Sequence, residues 1–234
     1  MIYVSSDWHG CKLEKIEKLL EKAGFGEDDF LFVLGDVIDR GYDGVELLKW
    51  LMLQPNAELI LGNHEAMLLA NSWLFEEITE DSVNDVDMTK MRRLSHWQQN
   101  GAEPTIKGLR GESAEMRADI IEYLREECPL YEKINVGGKE FWLLHAGLGN
   151  FSEDKDIEDY TDHDILWERP SIYTEYSKRF TTVLGHTPTC YYGSNYRGRI
   201  LKTDTFINID AGSACGFDPC ILRLNDMKEF YLDI

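Results

Sequence analysis

Five short polar motifs recur along this chain of 234 residues, and each follows a short apolar stretch. In chain order they are Asp7-Trp-His9, Gly35-Asp-Val-Ile-Asp-Arg-Gly41, Gly62-Asn-His-Glu65, His145-Ala-Gly147 and Gly185-His-Thr187. An apolar run of this kind is typical of a strand buried on both faces. Charged groups at the end of a buried strand are costly unless something compensates them. A bound divalent cation with a phosphate beside it would compensate the carboxylates and the arginine together.

The histidines carry most of the evidence for a metal site. Four of the six follow apolar strands and stand beside Asp, Asn or Gly: His9, His64, His145 and His186. A single histidine in that setting is more often a core residue than a ligand. Four of them, accompanied by Asp7, Asp36 and Asn63, favour a metal site instead. The other two, His96 and His163, lack this context, and we interpret them as surface or packing residues.

The types of ligand indicate the chemistry. Imidazoles with carboxylate or amide oxygens, and no thiolate, suit Mn²⁺, Fe or Zn²⁺ in a catalytic site better than a structural zinc. The set is too large for one catalytic ion that must keep a position open, and it suits two ions that share a carboxylate. Two metals about 3.5–4 Å apart can activate a bridging water and clamp the oxygens of an in-line displacement. The sequence therefore predicts cleavage of a phosphate ester.

A sheet must bring these separated motifs together. The first 61 residues read as strand, helix, strand, helix and strand with short links, which predicts an α/β arrangement that begins with parallel strands. In such sheets ligands bind at the carboxyl ends of the strands, where the motifs lie. The second half is rich in strands, predicted over 132–136, 140–144, 181–184, 205–209, 220–224 and 229–233. We therefore predict two mixed β-sheets packed face to face and flanked by helices.

We predict one domain over residues 1–234, with a helical insertion over about 66–139. Helical patterns dominate the sequence from Ala66 to about Cys128. The insertion is interpreted as a cap that lies beside the metal strands and shapes access to them. A plain packing layer is an equally good interpretation.

Bulk composition excludes several classes of protein. Forty-three acidic residues against twenty-four basic ones give a net charge of −19, which argues against a nucleic-acid partner. Five cysteines without C-x-x-C spacing make a disulfide framework improbable and predict a reducing compartment. No signal-type segment precedes the first strand, and no apolar run approaches the roughly 18 residues of a membrane span. We expect a cytoplasmic protein that binds no membrane; the oligomeric state stays open.

Taken in order, the five motifs resemble the signatures of the calcineurin-like metallophosphoesterases. The Asp39-Arg40-Gly41 ending is similar to that of the phosphoprotein phosphatase branch, which includes bacterial and phage serine/threonine phosphatases. Symmetrical diadenosine tetraphosphatases share that ending. The motifs span residues 7–187, which is most of the chain. The resemblance implies the four-layer metallophosphoesterase fold, in which a β-sandwich is flanked by helices.

The resemblance also implies a metal ligand set and a cofactor. One ion would be held by Asp7, His9 and Asp36. A second ion, bridged by Asp36, would be completed by Asn63, His145 and His186. Mn²⁺ is the first candidate for both ions, with Fe or Zn²⁺ as alternatives.

The same resemblance implies roles for further residues in acid catalysis and phosphate binding. His64 would protonate the leaving oxygen and would be oriented by Asp39. Arg40 would hold the phosphate, together with Arg169 from a Leu-Trp-x-Arg element. The alternative for Arg40 is an ion pair with Asp36 or Asp39, and for Arg169 an ion pair with Glu168 or a nearby acid.

These residues predict a metal-dependent phosphomonoesterase in which a metal-bound hydroxide attacks phosphorus directly. The first candidate is a serine/threonine protein phosphatase. The alternative is a symmetrical diadenosine tetraphosphatase, so the partner would be a phosphoprotein or a small phosphoester. A non-catalytic phosphate-binding scaffold is a remote alternative. The acidic run over 153–168 is interpreted as a solvated loop or as a rim that favours basic substrates.

Overall fold

Two five-stranded sheets pack face to face in the computed structural model, which describes residues 1–77, 79 and 86–232. The strands of the first sheet are β1 (Ile2–Ser5), β2 (Phe30–Val33), β3 (Ala57–Leu59), β9 (Cys220–Arg223) and β10 (Lys228–Tyr231). Those of the second sheet are β4 (Tyr131–Val136), β5 (Lys139–Leu144), β6 (Thr181–Leu184), β7 (Leu201–Lys202) and β8 (Phe206–Asn208). The predicted α/β fold with two mixed sheets is confirmed.

Each sheet contains three parallel neighbours; the first sheet has antiparallel strands at one side only, and the second has one at each edge. The first has the order β10-β9-β1-β2-β3, with β1, β2 and β3 parallel. The second has the order β4-β5-β6-β8-β7, with β5, β6 and β8 parallel. Because parallel neighbours end at the same edge, the polar segments that follow β1, β2, β3, β5 and β6 gather at one end of the sandwich.

Successive side chains along the strands point to opposite faces of each sheet, and this alternation produces four layers. Val4 and Phe32 point between the sheets and pack with side chains of the second sheet such as Leu143. Their neighbours Tyr3 and Leu31 point to the opposite face and pack against helices. A third apolar cluster covers the outer face of the second sheet and includes Trp142, Leu144, Ile165 and Tyr176. The predicted four-layer arrangement follows from this pattern.

Helices cover the outer faces. They are α1 (Leu13–Ala23), α2 (Gly44–Met52), α3 (Asn63–Ala70), α4 (Met88–Gln99), α5 (Glu103–Gly111), α6 (Ala114–Glu122) and α7 (Asp162–Leu166). Helix α1 buries Ile16, Leu19, Leu20 and Ala23, a stripe at helical spacing. It ends at Gly24, whose φ of 72° is the left-handed conformation that glycine adopts without steric cost.

The helical insertion predicted over about 66–139 stays a prediction. Residues 78 and 80–85 of it lie outside the described residues. The described part of it contains helices α4, α5 and α6, followed by a π-helical turn over Tyr123–Glu127. Strand β4 lies within the same range but pairs with β5 in the second sheet.

The β4–β5 hairpin turns at Gly137 and Gly138, both with positive φ, as the glycine pair predicts. Residue 233 of the predicted strand 229–233 lies outside the described range. Within that range, no helix combines the length and the apolar character that crossing a bilayer requires.

Candidate metal centre

Four polar side chains meet where β2, β3, β5 and β6 end. His145 Nε2 lies 2.9 Å from Asn63 Oδ1, 3.2 Å from His186 Nδ1 and 3.3 Å from Asp36 Oδ1. Asn63 Oδ1 is also 3.0 Å from His186 Nδ1. Ligands on one cation, each about 2.1 Å from it, lie roughly 3–3.5 Å apart. The spacing of these four atoms is therefore that of a cation's ligands.

A second group lies on the other side of the Asp36 carboxylate. Asp36 Oδ2 is 3.7 Å from His9 Nε2 and 3.7 Å from His64 Nε2. Asp7 Oδ1 is 3.8 Å from His9 Nε2. Asp36 thus faces one group with Oδ1 and the other with Oδ2, as a carboxylate shared by two ions would.

The residues present fit a divalent cation on three counts. The donor atoms are imidazole nitrogens and carboxylate or amide oxygens, the types that divalent metals bind. The side chains are at most 6% exposed, so water cannot solvate their charges. Asp7 Oδ1 and His186 Nε2 are buried with no hydrogen-bond partner among the described residues, and such groups are costly.

Burial and neighbouring charges shift the pKa values in this cluster. Burial lowers the pKa of His9 to about 3 and that of His186 to about 2, so both rings are neutral near pH 7. Burial also opposes the charged form of His145, but Asp36 and Asp7 outweigh it and raise the pKa to about 10. Despite its burial, the pKa of Asp36 lies well below its usual range because His145 and His64 face it. A cation would replace the proton that His145 holds beside this carboxylate.

The backbone of the site lies mostly in the left-handed region. Among the described residues, eight non-glycine residues have positive φ, and six of them belong to the predicted site: Asp7, His9, Asp36, Asp39, Arg40 and His186. Each such residue costs on the order of 1–3 kcal/mol and persists only where the surrounding structure enforces it. Strain concentrated in this way is typical of functional sites.

Glu65 enforces the conformation of the loop that carries Asp36. Its fully buried carboxylate accepts the N–H groups of Asp36 (2.8 Å), Val37 (2.8 Å), Ile38 (3.3 Å) and Gly62 (3.1 Å). Burial and the nearby Asp36 raise the pKa of Glu65 to about 7, while the bond from the Asp36 N–H favours the charged form. Glu65 belongs to the motif Gly62-Asn-His-Glu65, but its role depends on hydrogen bonds to the loop that follows β2, which the motif alone does not indicate.

Glycine is required where β6 ends. A Cβ atom on Gly185 would lie 2.1 Å from Asp7 Oδ2 and 2.4 Å from Ser6 Oγ. The space is occupied by a hydrogen bond from Ser6 to Asp7 of 2.6 Å, and the His186 N–H donates to the same Asp7 oxygen at 2.9 Å. Ser6 thus orients the carboxylate of Asp7.

His64 and Asp39 form a buried pair beside the metal centre. His64 Nδ1 lies 2.6 Å from Asp39 Oδ2, so Nδ1 donates to the carboxylate and Nε2 faces the site. Burial opposes the charged ring, but Asp36 and Asp39 raise the pKa of His64. Two residues not singled out from the sequence, Trp97 and Thr105, also contact Asp39.

The two predicted phosphate ligands, Arg40 and Arg169, have exposed side chains at the rim. Arg40 lies 3.2 Å from both His9 Nε2 and His64 Nε2 through its two terminal nitrogens. Arg169 donates to the His186 carbonyl at 3.1 Å and to the Thr187 hydroxyl at 3.3 Å. Among the ion pairs of the described residues, none joins Arg40 to Asp36 or Asp39, or Arg169 to Glu168.

The acidic run over 153–168 makes several local contacts. Asp156 and Glu158 pair with Lys133, and Glu153 pairs with Arg179 at 3.0 Å. Asp164 accepts from the Thr161 hydroxyl at 2.8 Å. The run is not a loop throughout, because helix α7 lies within it, but several of its charges are paired or hydrogen-bonded locally.

Comparison with known proteins places the chain among phosphoesterases. Residues 1–206 match the family described as calcineurin-like phosphoesterase. A symmetrical bis(5'-nucleosyl)-tetraphosphatase of Buchnera aphidicola subsp. Acyrthosiphon pisum (strain Tuc7) is 41% identical over 70 residues, 29% of this chain and 25% of that protein. The protein of the same name from Stutzerimonas stutzeri (strain A1501) is 26% identical over 229 residues, 93% of this chain and 74% of that protein. With several other such relatives the chain spans only 25% to 44% of their length.

Solved structures of similar fold include several kinds of phosphatase. A crystal structure assigned as a candidate diadenosine tetraphosphatase superposes with a TM-score of 0.66 at 18% identity, covering 99% of this chain and 92% of that one. A protein serine/threonine phosphatase from Saccharomyces cerevisiae superposes with a TM-score of 0.56 at 14% identity, covering 100% and 80%. At such low identity these likenesses concern the fold alone.

Proposed function

The chain belongs to the calcineurin-like phosphoesterase family, and from that premise we propose that it is a metal-dependent hydrolase that cleaves dinucleoside tetraphosphates symmetrically. The observation that carries the chemistry is the arrangement around Asp36, whose two oxygens face two groups of buried ligand atoms. The preference for this substrate rests on relatives that bear the name symmetrical bis(5'-nucleosyl)-tetraphosphatase. The serine/threonine phosphatase reading, which came first from the sequence, thereby becomes the second candidate.

Two divalent ions fit the site under this proposal. One would be held by Asp7, His9 and Asp36, and the other by Asp36, Asn63, His145 and His186. When bound, such ions lower the pKa of water and neutralise phosphate charge. Nitrogen and oxygen donors without thiolate suit Mn²⁺, Fe or Zn²⁺, and Mn²⁺ is the first candidate.

The chain's own groups then bind the substrate and move a proton. Arg40 and Arg169 at the rim would hold nonbridging phosphate oxygens; a guanidinium presents parallel N–H donors that match two such oxygens. His64 would donate the proton on Nε2 to the leaving oxygen. Its Nδ1 is held by Asp39 at 2.6 Å, which fixes the tautomer and the ring orientation. A proton held in fixed geometry helps most where the leaving oxygen is strongly basic, as in alkyl and phenyl phosphoesters.

Product analysis tests the proposal. Purified protein with added Mn²⁺ is offered diadenosine tetraphosphate in one reaction and phosphoserine and phosphothreonine peptides in another, and the products are separated by chromatography. We expect ADP as the sole nucleotide product and slow release of phosphate from the peptides. ATP with AMP would refute symmetrical cleavage, and faster turnover of the peptides would establish the second candidate.

An Asp36→Asn variant is the control for the metal centre. It keeps the size of the side chain but removes the charge shared by both groups, so we expect loss of Mn²⁺ binding and of both activities. A wild-type protein that binds Mn²⁺ yet hydrolyses neither substrate nor p-nitrophenyl phosphate would point to a phosphate-binding scaffold.

A further inference from the structure

The carboxylate of Asp39 is surrounded by donors from three separate parts of the chain. His64 Nδ1 donates to Oδ2 at 2.6 Å, and the indole N–H of Trp97 donates to the same oxygen at 2.7 Å. The hydroxyl of Thr105 donates to Oδ1 at 2.5 Å. Trp97 belongs to α4 and Thr105 to α5, and their exposed fractions are 0% and 2%. Two consecutive helices therefore contribute buried side chains to the acid pair.

The same two helices also hold the backbone of the Asp39 segment. The Thr105 hydroxyl accepts the N–H of Asp39 at 2.9 Å, and the carbonyl of Gly101, between the helices, accepts the N–H of Arg40 at 2.9 Å. Asp39 and Arg40 have φ values of 67° and 68°, a conformation that must be enforced from outside. A hydroxyl that binds both the backbone and the side chain of one residue fixes its carboxylate relative to its own main chain.

We propose that Trp97 and Thr105 are positioning residues that orient Asp39 and thereby aim the His64 imidazole at the leaving oxygen. The segment from α4 to α5 is then part of the acid machinery, and more than a layer that covers the sheet. This inference rests on the proposed role of His64 as the general acid. It concerns residues that are not among the predicted metal ligands.

The chemistry predicts a dependence on the leaving group. An oxygen that leaves as a strong base must be protonated in the transition state, whereas a weakly basic one leaves without help. Phenyl phosphate has the first kind of leaving group and p-nitrophenyl phosphate the second. A residue that only aims the acid should therefore matter for phenyl phosphate and hardly matter for p-nitrophenyl phosphate.

Thr105→Val is the main variant, because it keeps the shape and removes both hydrogen bonds. We expect kcat for phenyl phosphate to fall about 10- to 100-fold, part of the 10²- to 10⁴-fold effect typical of a general acid. For p-nitrophenyl phosphate we expect a fall of less than about threefold, with KM nearly unchanged for both substrates. Trp97→Phe should show the same selectivity, and Thr105→Ser, which restores the hydroxyl, should recover most of the lost rate.

Thr205→Val provides a matched control. Thr205 has the same exposed fraction of 2%, and its hydroxyl accepts the N–H of Tyr176 at 3.0 Å, but it has no contact with Asp39. Thermal unfolding of all variants measures the structural cost of losing a buried hydroxyl. We expect Thr205→Val to lose stability without any selective loss of phenyl phosphate hydrolysis.

A second readout does not depend on activity. In the metal-free protein, the Nδ1 proton of His64 bonded to Asp39 gives a downfield ¹H NMR signal, which His64→Gln identifies. We expect Thr105→Val and Trp97→Phe to shift or broaden this signal and Thr205→Val to leave it in place. An unchanged signal in both variants, or an equal loss of rate for both substrates, would overturn the inference. Absence of Mn²⁺-dependent activity in the wild type would instead refute the proposed function, and the NMR result would still decide the positioning role.

Discussion

Replacing Glu65 by glutamine tests whether one buried carboxylate holds the loop of the shared ligand Asp36. Oε2 accepts the N–H groups of Asp36 and Gly62, and Oε1 accepts those of Val37 and Ile38. Glutamine has one carbonyl oxygen, so it can serve at most one of these two pairs. Its amide NH₂ would face the other pair, donor against donor.

The expected destabilisation follows from the two N–H groups that lose their acceptor. A buried donor left unsatisfied costs about 1–3 kcal/mol, so two of them cost about 2–6 kcal/mol. For a chain of this size, 1 kcal/mol lowers Tm by about 2–4 °C, which gives a decrease of roughly 4–24 °C. Because Asp36 would move with its loop, affinity for Mn²⁺ should also fall about 10–100-fold.

Thermal unfolding near pH 8 measures the effect, because the Glu65 carboxylate, whose pKa is raised to about 7 by burial, is then mainly charged. Glu58→Gln is the matched control. Glu58 is partly buried on β3, burial raises its pKa, and its Oε1 has no hydrogen-bond partner among the described residues. We expect this control to unfold at the wild-type temperature or slightly above it. If Glu65→Gln unfolds within about 2 °C of wild type, a shift worth about 1 kcal/mol or less, the carboxylate does not hold the loop.

Three further predictions concern the same centre. Gly185→Ala places a Cβ atom 2.1 Å from Asp7 Oδ2, so Mn²⁺ affinity measured by calorimetry should fall about 10–100-fold. The control is Gly111→Ala, where the added Cβ atom meets open space, and this variant should bind Mn²⁺ with wild-type affinity. Arg40→Lys keeps the charge but loses the planar guanidinium, so inhibition by inorganic phosphate should weaken about tenfold. Inhibition equal to that of the wild type would show that the guanidinium does not bind phosphate through its paired N–H groups. Because Asp36 and Asp7 outweigh burial and raise the pKa of His145 to about 10, the metal-free ring is protonated near neutral pH. Mn²⁺ binding should then release about one proton and tighten as pH rises, which calorimetry in buffers of different ionisation enthalpy measures.

The parts of the site that could be predicted from sequence are those that local pattern determines. An apolar run that ends in a polar motif specifies both a strand and the edge at which its ligands emerge, and this reasoning predicted that His145 and His186 would lie near Asp36. The structure brings those side chains together. The assignment of Asp7, with His9, to one ion and of Asn63 to the other stays a prediction, as do the roles of the arginines.

Contacts between distant segments explain what the pattern did not predict. Trp97 and Thr105 lie 58 and 66 residues from Asp39 along the chain. A buried tryptophan on an amphipathic helix has the same local signature whether its indole N–H bonds a catalytic carboxylate or a backbone carbonyl. A distant contact also lies just beyond the end of β3 at Leu59, where the N–H of Leu61 donates to the carbonyl of Pro129 at 2.7 Å.

The backbone strain of the site indicates that the chain itself sets the ligand geometry. Isolated left-handed residues would relax to ordinary conformations if only a cation held them. Here the N–H of Asp7 bonds the carbonyl of Gly35 at 3.0 Å, that of His9 bonds Asp36 at 2.9 Å, and that of Gly10 bonds Val37 at 2.7 Å. These bonds connect the loop after β1 to the loop after β2, and the Glu65 carboxylate holds the second of these loops through its N–H groups. Hydrogen bonds within the chain therefore hold the backbone that carries the ligands, and a bound cation would add charge compensation to this arrangement.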